Sequence, residues 1–264
     1  MMDSGLRDRV AVVTGASRGI GRATAERFAA EGARVALTYN SDGDAAKAVT
    51  SSIEASGGEA IALPLRLCDD ASIDAAFAEV ADRWGGIDAL VANAVRWPTA
   101  RAEGGRAEGL ALEDWRAGLR ANVEGTVATV LAALPSMRER AWGRIVLSSS
   151  GVAEEGVPGP NPYGVAKAAL AGLTRQLAWD VGRDGILVNA VATGFTVTER
   201  NRDRFGDRIR AEVASRTPSG RLSEPGDVAG LIVFLGSAAN ANLSGEVIRE
   251  GSSTGRGGGR FEFL

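Results

Sequence analysis

A serine run and a tyrosine–lysine pair carry the side chains best suited to proton transfer in this sequence. The run is Ser148-Ser149-Ser150-Gly151, and Tyr163 and Lys167 follow it. The tyrosine and the lysine stand four positions apart in a stretch of helical composition, so their side chains share one helix face. A phenol with a pKa of ~10 exchanges protons poorly near neutral pH, and an adjacent cation lowers that pKa. We expect Lys167 to act as this cation.

Ser150 is expected to lie beside this pair. Residues 144–147 form a largely β-branched run that predicts a strand, and Ser150 follows at its carboxyl edge. Its hydroxyl and the phenol together could protonate and polarise a carbonyl oxygen. The sequence contains no histidine, which excludes histidine triads and HExxH zinc sites. Any proton transfer must therefore use Tyr, Lys, Asp, Glu or the single Cys. From its position beside Ser150 and Lys167 we predict that Tyr163 carries it, and we predict no metal site.

Composition predicts one α/β domain over residues 1–264. The chain is 45% hydrophobic and contains 35 glycines, and its length suffices to bury one continuous core. A net charge of −3 without a basic stripe argues against nucleic acid as a partner. The single cysteine, Cys68, cannot form an internal disulfide, and no apolar run approaches the ~20 residues of a membrane span. We expect a soluble cytoplasmic protein with a small-molecule partner and no membrane partner.

A glycine-rich turn follows the first predicted strand. Residues 9–14 are mostly apolar, and Gly15-Ala16-Ser17-Arg18-Gly19-Ile20-Gly21 leads into a helical stretch that extends to Glu31. A strand, a glycine turn and a helix amino terminus together bind a pyrophosphate through backbone N–H groups. The spacing here is GxxxGxG rather than GxGxxG. The turn predicts a dinucleotide-binding site near the amino terminus.

The end of the second predicted strand indicates which dinucleotide binds. Residues 34–39 form this strand, and Tyr39-Asn40-Ser41 lacks the acidic residue that binds the ribose 2′-hydroxyl of NAD. The planar guanidinium of Arg18, in the glycine turn, suits a 2′-phosphate. We therefore expect NADPH as the cofactor in preference to NADH.

Alternating strands and helices continue along the chain, which predicts a parallel sheet covered on both faces. The later predicted strands are 60–65, 89–92, 144–147, 187–192 and 246–249, and the predicted helices are 44–56, 72–84, 113–140, 163–180 and 225–235. We expect a loop over 96–112, a substrate-covering segment over 195–217 and a Gly-rich tail over 252–264. Asn122 falls inside the long helix, where either exposure or a role near the site would explain it.

Taken in order, these motifs make the chain similar to the short-chain dehydrogenase/reductase family over about residues 6–251. Thr14 through Gly21 matches that family's TGxxxGxG cofactor turn. Ser150, Tyr163 and Lys167 match its catalytic serine, tyrosine and lysine. Asn122 matches the helix asparagine that holds a water beside the lysine. The resemblance implies a Rossmann-type doubly wound parallel sheet of about seven strands, assembled as a homotetramer.

The resemblance also implies a role for each matched residue. Tyr163 donates the proton, Ser150 orients the substrate carbonyl, and Lys167 lowers the tyrosine pKa and holds the cofactor ribose, while hydride comes from the nicotinamide. The implied cofactor-binding residues are Gly15, Ser17, Arg18, Gly19, Ile20, Gly21, Tyr39, Asn40, Ser41, Asn93, Ala94, Tyr163, Lys167, Thr193, Gly194 and Thr196.

Three positions depart from the family pattern. Ala92-Asn93-Ala94-Val95 stands where the family has Asn-Asn-Ala-Gly, which puts a larger side chain beside the cofactor. Thr193-Gly194 replaces Pro-Gly near the expected nicotinamide, and Arg66 replaces the aspartate that caps the adenine. These departures bear on the geometry of the cofactor rather than on the catalytic residues.

The stretch 149–198 is similar to ketoreductases that tailor aromatic polyketides, in particular those that reduce the C-6 carbonyl of angucyclines. This resemblance implies a flat polycyclic ketone as substrate, in antibiotic biosynthesis, with walls from the 96–112 loop and from the segment after Glu199.

Two alternatives stay open. A 3-oxoacyl thioester on a carrier protein would need a basic entrance, which Arg200, Arg202, Arg204 and Arg208 would supply, diluted by Glu199, Asp203 and Asp207. A non-catalytic dinucleotide-binding sensor is the alternative of a different class, favoured by the three departures and opposed by the intact catalytic residues.

Overall fold

Seven parallel strands form one sheet in the computed structural model, which describes residues 4–98, 105–157, 159–202 and 206–251. The order across the sheet is β3-β2-β1-β4-β5-β6-β7, and every neighbouring pair is parallel. The strands are β1 (Val10–Val13), β2 (Arg34–Tyr39), β3 (Glu59–Pro64), β4 (Ala89–Ala92), β5 (Gly143–Ser150), β6 (Ile186–Thr193) and β7 (Val247–Glu250). The expected Rossmann-type doubly wound α/β fold is confirmed.

Helices cover both faces of the sheet. Along β1, Val10 and Val12 pack into one apolar cluster while Ala11 and Val13 pack into another, because successive side chains of a strand point to opposite faces. The helices are α1 (Gly19–Ala30), α2 (Gly43–Ala55), α3 (Asp70–Trp84), α4 (Leu112–Leu119), α5 (Gly125–Glu139), α6 (Val152–Glu155), α7 (Pro162–Val181), α8 (Asp207–Ser215) and α9 (Pro225–Leu235). Buried side chains of α1, α2 and α9 form one cluster, and those of α3, α5 and α7 form the other.

The long helix predicted over 113–140 is interrupted. It consists of α4, a π-helical turn at Arg120–Glu124, and α5. At the start of α5, a Cβ on Gly125 would overlap the carbonyl oxygen of Leu67, so the helix approaches a neighbouring loop too closely for any larger residue. The π-helical turn also buries Asn122 at 2% exposure, which rules out the exposed alternative for this residue. Extra backbone in a helix commonly marks a functional site.

Other segments differ from the prediction in detail. The predicted 96–112 loop contains a short 3₁₀ turn at Ala107–Gly109, and α6 was not predicted. Strand β5 extends beyond the predicted 144–147, so Ser150 is its last residue rather than part of the following loop. Parts of the predicted loop (99–104), of the substrate-covering segment (203–205) and the whole tail (252–264) lie outside the described residues.

The order in which strands are added to the sheet reverses between β1 and β4, which creates a crevice at their carboxyl ends. Two side chains join these ends. The Thr14 hydroxyl donates to Val91 O (3.3 Å) and accepts from the backbone N–H groups of Asn93 (3.0 Å) and Ala94 (2.9 Å). The Asn93 amide donates to the carbonyl oxygens of Thr14 and Gly15, each at 3.0 Å. The crevice therefore has a fixed floor.

Among the described helices, none combines the length and the apolar character that crossing a membrane requires.

We expect Thr14→Val to lower the free energy of unfolding by about 1–3 kcal/mol, because the part-buried N–H of Ala94 loses its acceptor and the N–H of Asn93 keeps only Val91 O. Thr24→Val is the matched control. Thr24 is fully buried in α1, and its hydroxyl has no hydrogen-bond partner in the described part of the chain. Its replacement should leave stability within about 0.5 kcal/mol or raise it. Urea unfolding of both variants measures the difference, and equal losses would contradict this account.

Candidate active site

The amino terminus of α7 brings Tyr163 and Lys167 to the end of β5. Asn161 caps this helix by accepting from Gly164 N (3.0 Å), and Pro162 occupies the first helical position, where its missing N–H has no cost. Tyr163 is therefore the second helical residue. Lys167 follows one turn later on the same face, and Ser150 ends the adjacent strand. The structure brings the three predicted catalytic side chains together.

Lys167 is a buried cation that joins α7 to β5. Its side chain is 3% exposed, and its Nζ donates to the carbonyl oxygen of Ser148 (2.5 Å). The Ser149 hydroxyl donates in return to the carbonyl oxygen of Lys167 (3.0 Å). Burial lowers the pKa of Lys167 to about 8, so the amine remains mostly protonated at neutral pH. Its Nζ lies 5.7 Å from the centre of the Tyr163 ring.

The pKa of Tyr163 is raised, because burial of the ring opposes the charged phenolate, and a hydrogen bond with Ser150 offsets this only in part. The sequence had led us to expect a pKa lowered by Lys167. The difference has a structural cause in the burial of the phenol, against which another aromatic ring stacks. Tyr163 therefore retains its proton in this arrangement.

That ring belongs to Trp97, which sequence reasoning missed. Its indole stacks on Tyr163 with ring centres 4.8 Å apart and planes 23° from parallel. The guanidinium carbon of Arg200 lies 4.7 Å from the centre of the Trp97 ring. The available signal was an aromatic residue shortly after β4, at the edge of the sheet where ligands bind.

Asn122 holds the backbone that carries this tryptophan. Its Oδ1 accepts from Arg96 N (2.8 Å) and its Nδ2 donates to Arg96 O (2.9 Å). We had expected Asn122 to hold a water beside Lys167. That expectation stays a prediction. In the structure, both ends of the side-chain amide bond to Arg96 in the β4–α4 connection, and this fixes the backbone next to Trp97.

Trp97 and Tyr163 line a shallow cleft together with residues of α4 and of the segment before α7. Its other walls include Leu110, Pro160 and Pro162. Aromatic, proline and polar side chains beside a proton donor make this cleft the candidate site for an organic ligand.

The glycine turn leaves room for an anion. Gly15 and Gly19 have positive φ angles of 64° and 57°, which favour glycine. A Cβ on Gly21 would lie 2.6 Å from Asn93 Nδ2, so only glycine fits where α1 meets the crevice floor. The amino terminus of α1 opens toward the crevice, as the pyrophosphate of a dinucleotide requires. The residues present therefore fit the expected cofactor.

Thr198 and Glu199 border this turn and were not predicted as site residues. The Thr198 methyl carbon would lie 3.4 Å from a Cβ on Gly19. Glu199 Oε2 accepts a hydrogen bond from Gly19 N at 3.1 Å. Thr196, which we had predicted to bind cofactor, is 6% exposed, and its hydroxyl donates to Gly194 O (3.3 Å). The side chain of Thr196 thus bonds to its own turn, and Thr198 is the threonine beside the glycine turn.

Arg18 has an acidic partner that the sequence analysis overlooked. Its Nη2 lies 2.6 Å from Asp42 Oδ2, and both side chains are about half exposed. Asp42 also caps α2 by accepting from Ala45 N (3.1 Å). The second strand ends without an acid, as predicted, but an acid follows three residues later. Asn40 and Ser41 are exposed beside it, as a contact with an adenosine ribose requires.

The remaining predicted cofactor residues border the same crevice. Ser17 is half-buried on the turn, whereas Ile20 packs partly into the core. Tyr39 packs against Gly43, where an added Cβ would lie 3.2 Å from its ring. The Thr193 hydroxyl donates to Ser149 O (3.5 Å), and Gly194 N donates to Glu250 O (2.8 Å).

Two of the three family departures, Val95 and Arg66, have local explanations. The close approach at the crevice floor occurs between Gly15 and Ala94, where a Cβ on the glycine would lie 2.8 Å from Ala94 Cα, and Val95 is only half-buried. The Arg66 guanidinium pairs with Asp69 (2.5 Å), the residue that caps α3. The described residues contain no cluster of side chains suited to a metal ion.

The chain belongs to the short-chain dehydrogenase/reductase family. A family model described as enoyl-(acyl carrier protein) reductase matches residues 15–249, a stretch that includes most of the glycine turn and the Ser150, Tyr163 and Lys167 cluster. The chain is therefore an oxidoreductase that uses a nicotinamide dinucleotide, and several of its relatives are named reductases.

Three similar proteins narrow the type of reaction within this family. The 3-oxoacyl-[acyl-carrier-protein] reductase FabG of Aquifex aeolicus is 36% identical over 94% of this chain and 97% of its own length. The short-chain reductase protein NovJ of Streptomyces niveus is 35% identical over 92% of each chain. A short-chain dehydrogenase from Burkholderia cenocepacia, solved in complex with NADP, has a TM-score of 0.82 at 36% identity, covering 94% of this chain and 99% of its own. These relatives indicate a ketoreductase.

We expect Lys167→Met to be more stable than the natural protein at pH 7. The pKa lowered from 10.5 to about 8 means that burial of the charged amine costs about 3 kcal/mol of folding free energy, and the variant avoids this cost. The variant also loses the hydrogen bond to Ser148, which offsets about 1 kcal/mol of that gain. The cost is fully present below pH 8, where folded and unfolded chains both hold the proton. It disappears toward pH 10.5, because the unfolded chain binds more protons than the folded one in that window.

Urea unfolding from pH 7 to 10 measures this difference. The gap between Lys167→Met and the natural protein should narrow as pH rises. Lys47→Met, at the other lysine of the chain, is exposed on α2 and serves as the control, with a gap that stays constant. A constant gap for Lys167→Met would contradict the lowered pKa.

Proposed function

We propose that the protein is an NADPH-dependent ketoreductase that reduces a carbonyl of a planar polycyclic aromatic ketone of the angucycline C-6 type. The observation that carries the reaction is the meeting of Tyr163, Ser150 and Lys167 at the carboxyl edge of the sheet. The observation that supports the substrate is the tryptophan wall beside that tyrosine.

The chain's own residues supply a proton and orient the substrate. The nicotinamide, when bound, supplies the hydride. The Ser150 hydroxyl donates a hydrogen bond to the substrate carbonyl oxygen, and Tyr163 transfers its phenolic proton to that oxygen as negative charge develops there. The protonated amine of Lys167 stabilises the phenolate that remains. General-acid catalysis of this kind contributes about 10²- to 10⁴-fold in rate.

Arg18 supports NADPH over NADH in this proposal. The guanidinium would leave Asp42 and bind the 2′-phosphate. An exposed ion pair contributes only about 0–1 kcal/mol, whereas a phosphate offers bidentate, charge-assisted hydrogen bonds. The NADP complex of the Burkholderia cenocepacia relative supports the same choice.

The aromatic wall supports a planar substrate. Trp97 is 39% exposed, so part of its indole is available to a ligand in the cleft. Aromatic pairs contribute about 0.5–1.5 kcal/mol beyond the area they bury, and a flat polycycle offers more such contact than a flexible chain. The stretch 149–198 also resembles aromatic-polyketide ketoreductases.

Reduction of a 3-oxoacyl thioester on a carrier protein is the second candidate, favoured by the FabG relative and by the description of the family model. A carrier would require a basic entrance. The charged residues in the described lining of the cleft are one arginine, Arg96, and one aspartate, Asp114. The local positive charge is thus offset by an acidic residue, which favours the small ketone.

We also propose that the protein forms a homotetramer. Leu131 on α5 and Val165 and Trp179 on α7 are exposed apolar residues, with Trp179 at 88% exposure. Apolar side chains on two neighbouring helices support an interface between copies of the chain.

Turnover tests the reaction and its substrate together. We expect NADPH, but not NADH, to reduce an angucyclinone with an oxidised C-6, and a 3-oxoacyl thioester to react poorly. Tyr163→Phe should lower turnover by at least about 100-fold with NADPH binding unchanged, because the ring remains and only the proton is lost. Turnover of the thioester alone would replace the first candidate by the second, and full activity of Tyr163→Phe would exclude the mechanism.

Substitution of Trp97 tests the aromatic wall. Trp97→Leu should raise KM for the polycyclic ketone by about 3- to 10-fold, the equivalent of the lost aromatic contact. Trp97→Phe retains a ring and should have a smaller effect. A bicyclic aliphatic ketone serves as the control substrate and should have a similar KM with all three proteins. Equal losses for both ketones would indicate that Trp97 positions Tyr163 instead of contacting substrate.

A further inference from the structure

Two consecutive residues contact the two halves of the site. Glu199 bonds to the glycine turn at Gly19 N (3.1 Å), and the Arg200 guanidinium carbon lies 4.7 Å from the centre of the Trp97 ring. Adjacent Cα atoms are about 3.8 Å apart, so a shift of the backbone at one residue also shifts the other. A single turn of backbone therefore touches both the cofactor crevice and the substrate cleft.

This turn has a defined structure of its own. Thr198 N donates to Asn201 Oδ1 and Asn201 Nδ2 donates to Thr196 O, each at 2.8 Å. Before it, Val197 N donates to Ser223 O (2.8 Å). The backbone is fixed at Val197, and the internal hydrogen bonds make residues 198–201 move as a unit.

Glu199 occupies the position where an anionic ligand would bind. Its carboxylate accepts from the first residue of α1, where backbone N–H groups and the helix dipole favour negative charge. A pyrophosphate requires the same donors, and two anions cannot share them. The pKa of Arg22, on the next turn of α1, is raised mainly by Glu26 and to a smaller extent by Glu199, which is consistent with this placement.

We propose that Glu199 and Arg200 form a latch that couples cofactor binding to opening of the substrate cleft. The cofactor pyrophosphate displaces the Glu199 carboxylate from Gly19. This displacement moves Arg200 away from Trp97, which frees the indole next to Tyr163 for substrate. The inference rests on the proposed function in one respect, since both require a nicotinamide dinucleotide at the glycine turn.

The latch predicts measurable effects on two quantities, the affinity for the cofactor and the order in which cofactor and substrate bind. Cofactor affinity is reduced by the fraction of molecules in which Glu199 occupies the donors. Substrate then binds more tightly after the cofactor, because Arg200 lies over part of the Trp97 indole until it leaves. Removing the Glu199 charge should therefore strengthen cofactor binding, which is the opposite of what removing an ordinary binding residue does.

Calorimetric titration with NADPH tests the first consequence. Glu199→Gln and Glu199→Ala should each bind NADPH about 3- to 10-fold more tightly than the natural protein, as expected for loss of a competing charge-assisted bond at a helix amino terminus. Asp207→Asn is the matched control. Its carboxylate is fully exposed at the start of α8, and its affinity should be unchanged. Equal or weaker NADPH binding by both Glu199 variants, with urea unfolding unchanged, would overturn the latch.

Quenching of tryptophan emission tests the coupling. The contribution of Trp97 is the difference between the natural protein and Trp97→Phe, since the other four tryptophans remain in both. We expect NADP⁺ to increase acrylamide quenching of this contribution by about the same amount as Arg200→Gln does without cofactor. Unchanged quenching on NADP⁺ binding would refute the coupling even if Glu199→Gln binds NADPH more tightly. Neither measurement uses turnover, so failure of the ketone to react leaves this test intact.

Discussion

The hydrogen bonds between β5 and α7 are the constraint on which the site depends. The buried amine of Lys167 donates a hydrogen bond to the Ser148 carbonyl oxygen, and the Ser149 hydroxyl donates one to the Lys167 carbonyl oxygen. This arrangement is costly for the charge, as the lowered pKa of Lys167 shows. It nevertheless fixes the distance between strand and helix, and so places Tyr163 against Ser150. The buried charge of Lys167 thus lowers the stability of the fold, and in return a cation lies next to the phenol of Tyr163.

Around this junction, neighbouring side chains determine the protonation state of Tyr163. Trp97 covers the ring and favours its neutral form, while Asn122 holds the backbone that places the indole there. Removing the cover and supplying a carbonyl oxygen would both favour proton transfer. Relatives that share the serine, tyrosine and lysine therefore share the chemistry, whereas the residues that cover the phenol are expected to differ with the substrate.

The parts of the molecule that were predictable from sequence are those governed by local patterns. Apolar runs such as 10–13 and 89–92 are buried on both faces, so they could be recognised without any contact being known. The spacing of Tyr163 and Lys167 fixes their shared helix face in the same way. The π-helical turn at Asn122, the Asp42 partner of Arg18 and the Glu199 contact with Gly19 could not be predicted. Each depends on where a loop or helix end lies relative to residues far away in the chain, from 24 positions for Arg18 and Asp42 to 180 for Gly19 and Glu199.

The central position of β1 has a consequence for how the protein is made. Its first residues pair with β2 only 24 positions later, but its other edge pairs with β4, where Val12 lies beside Leu90. During synthesis, β1 therefore remains open on one side until about a third of the chain has left the ribosome. At that point Asn93, which follows β4 directly, becomes available to donate to the carbonyl oxygens of Thr14 and Gly15 at the glycine turn. Ser150 and Tyr163 are added later, onto a nucleotide-binding half whose strands are already paired.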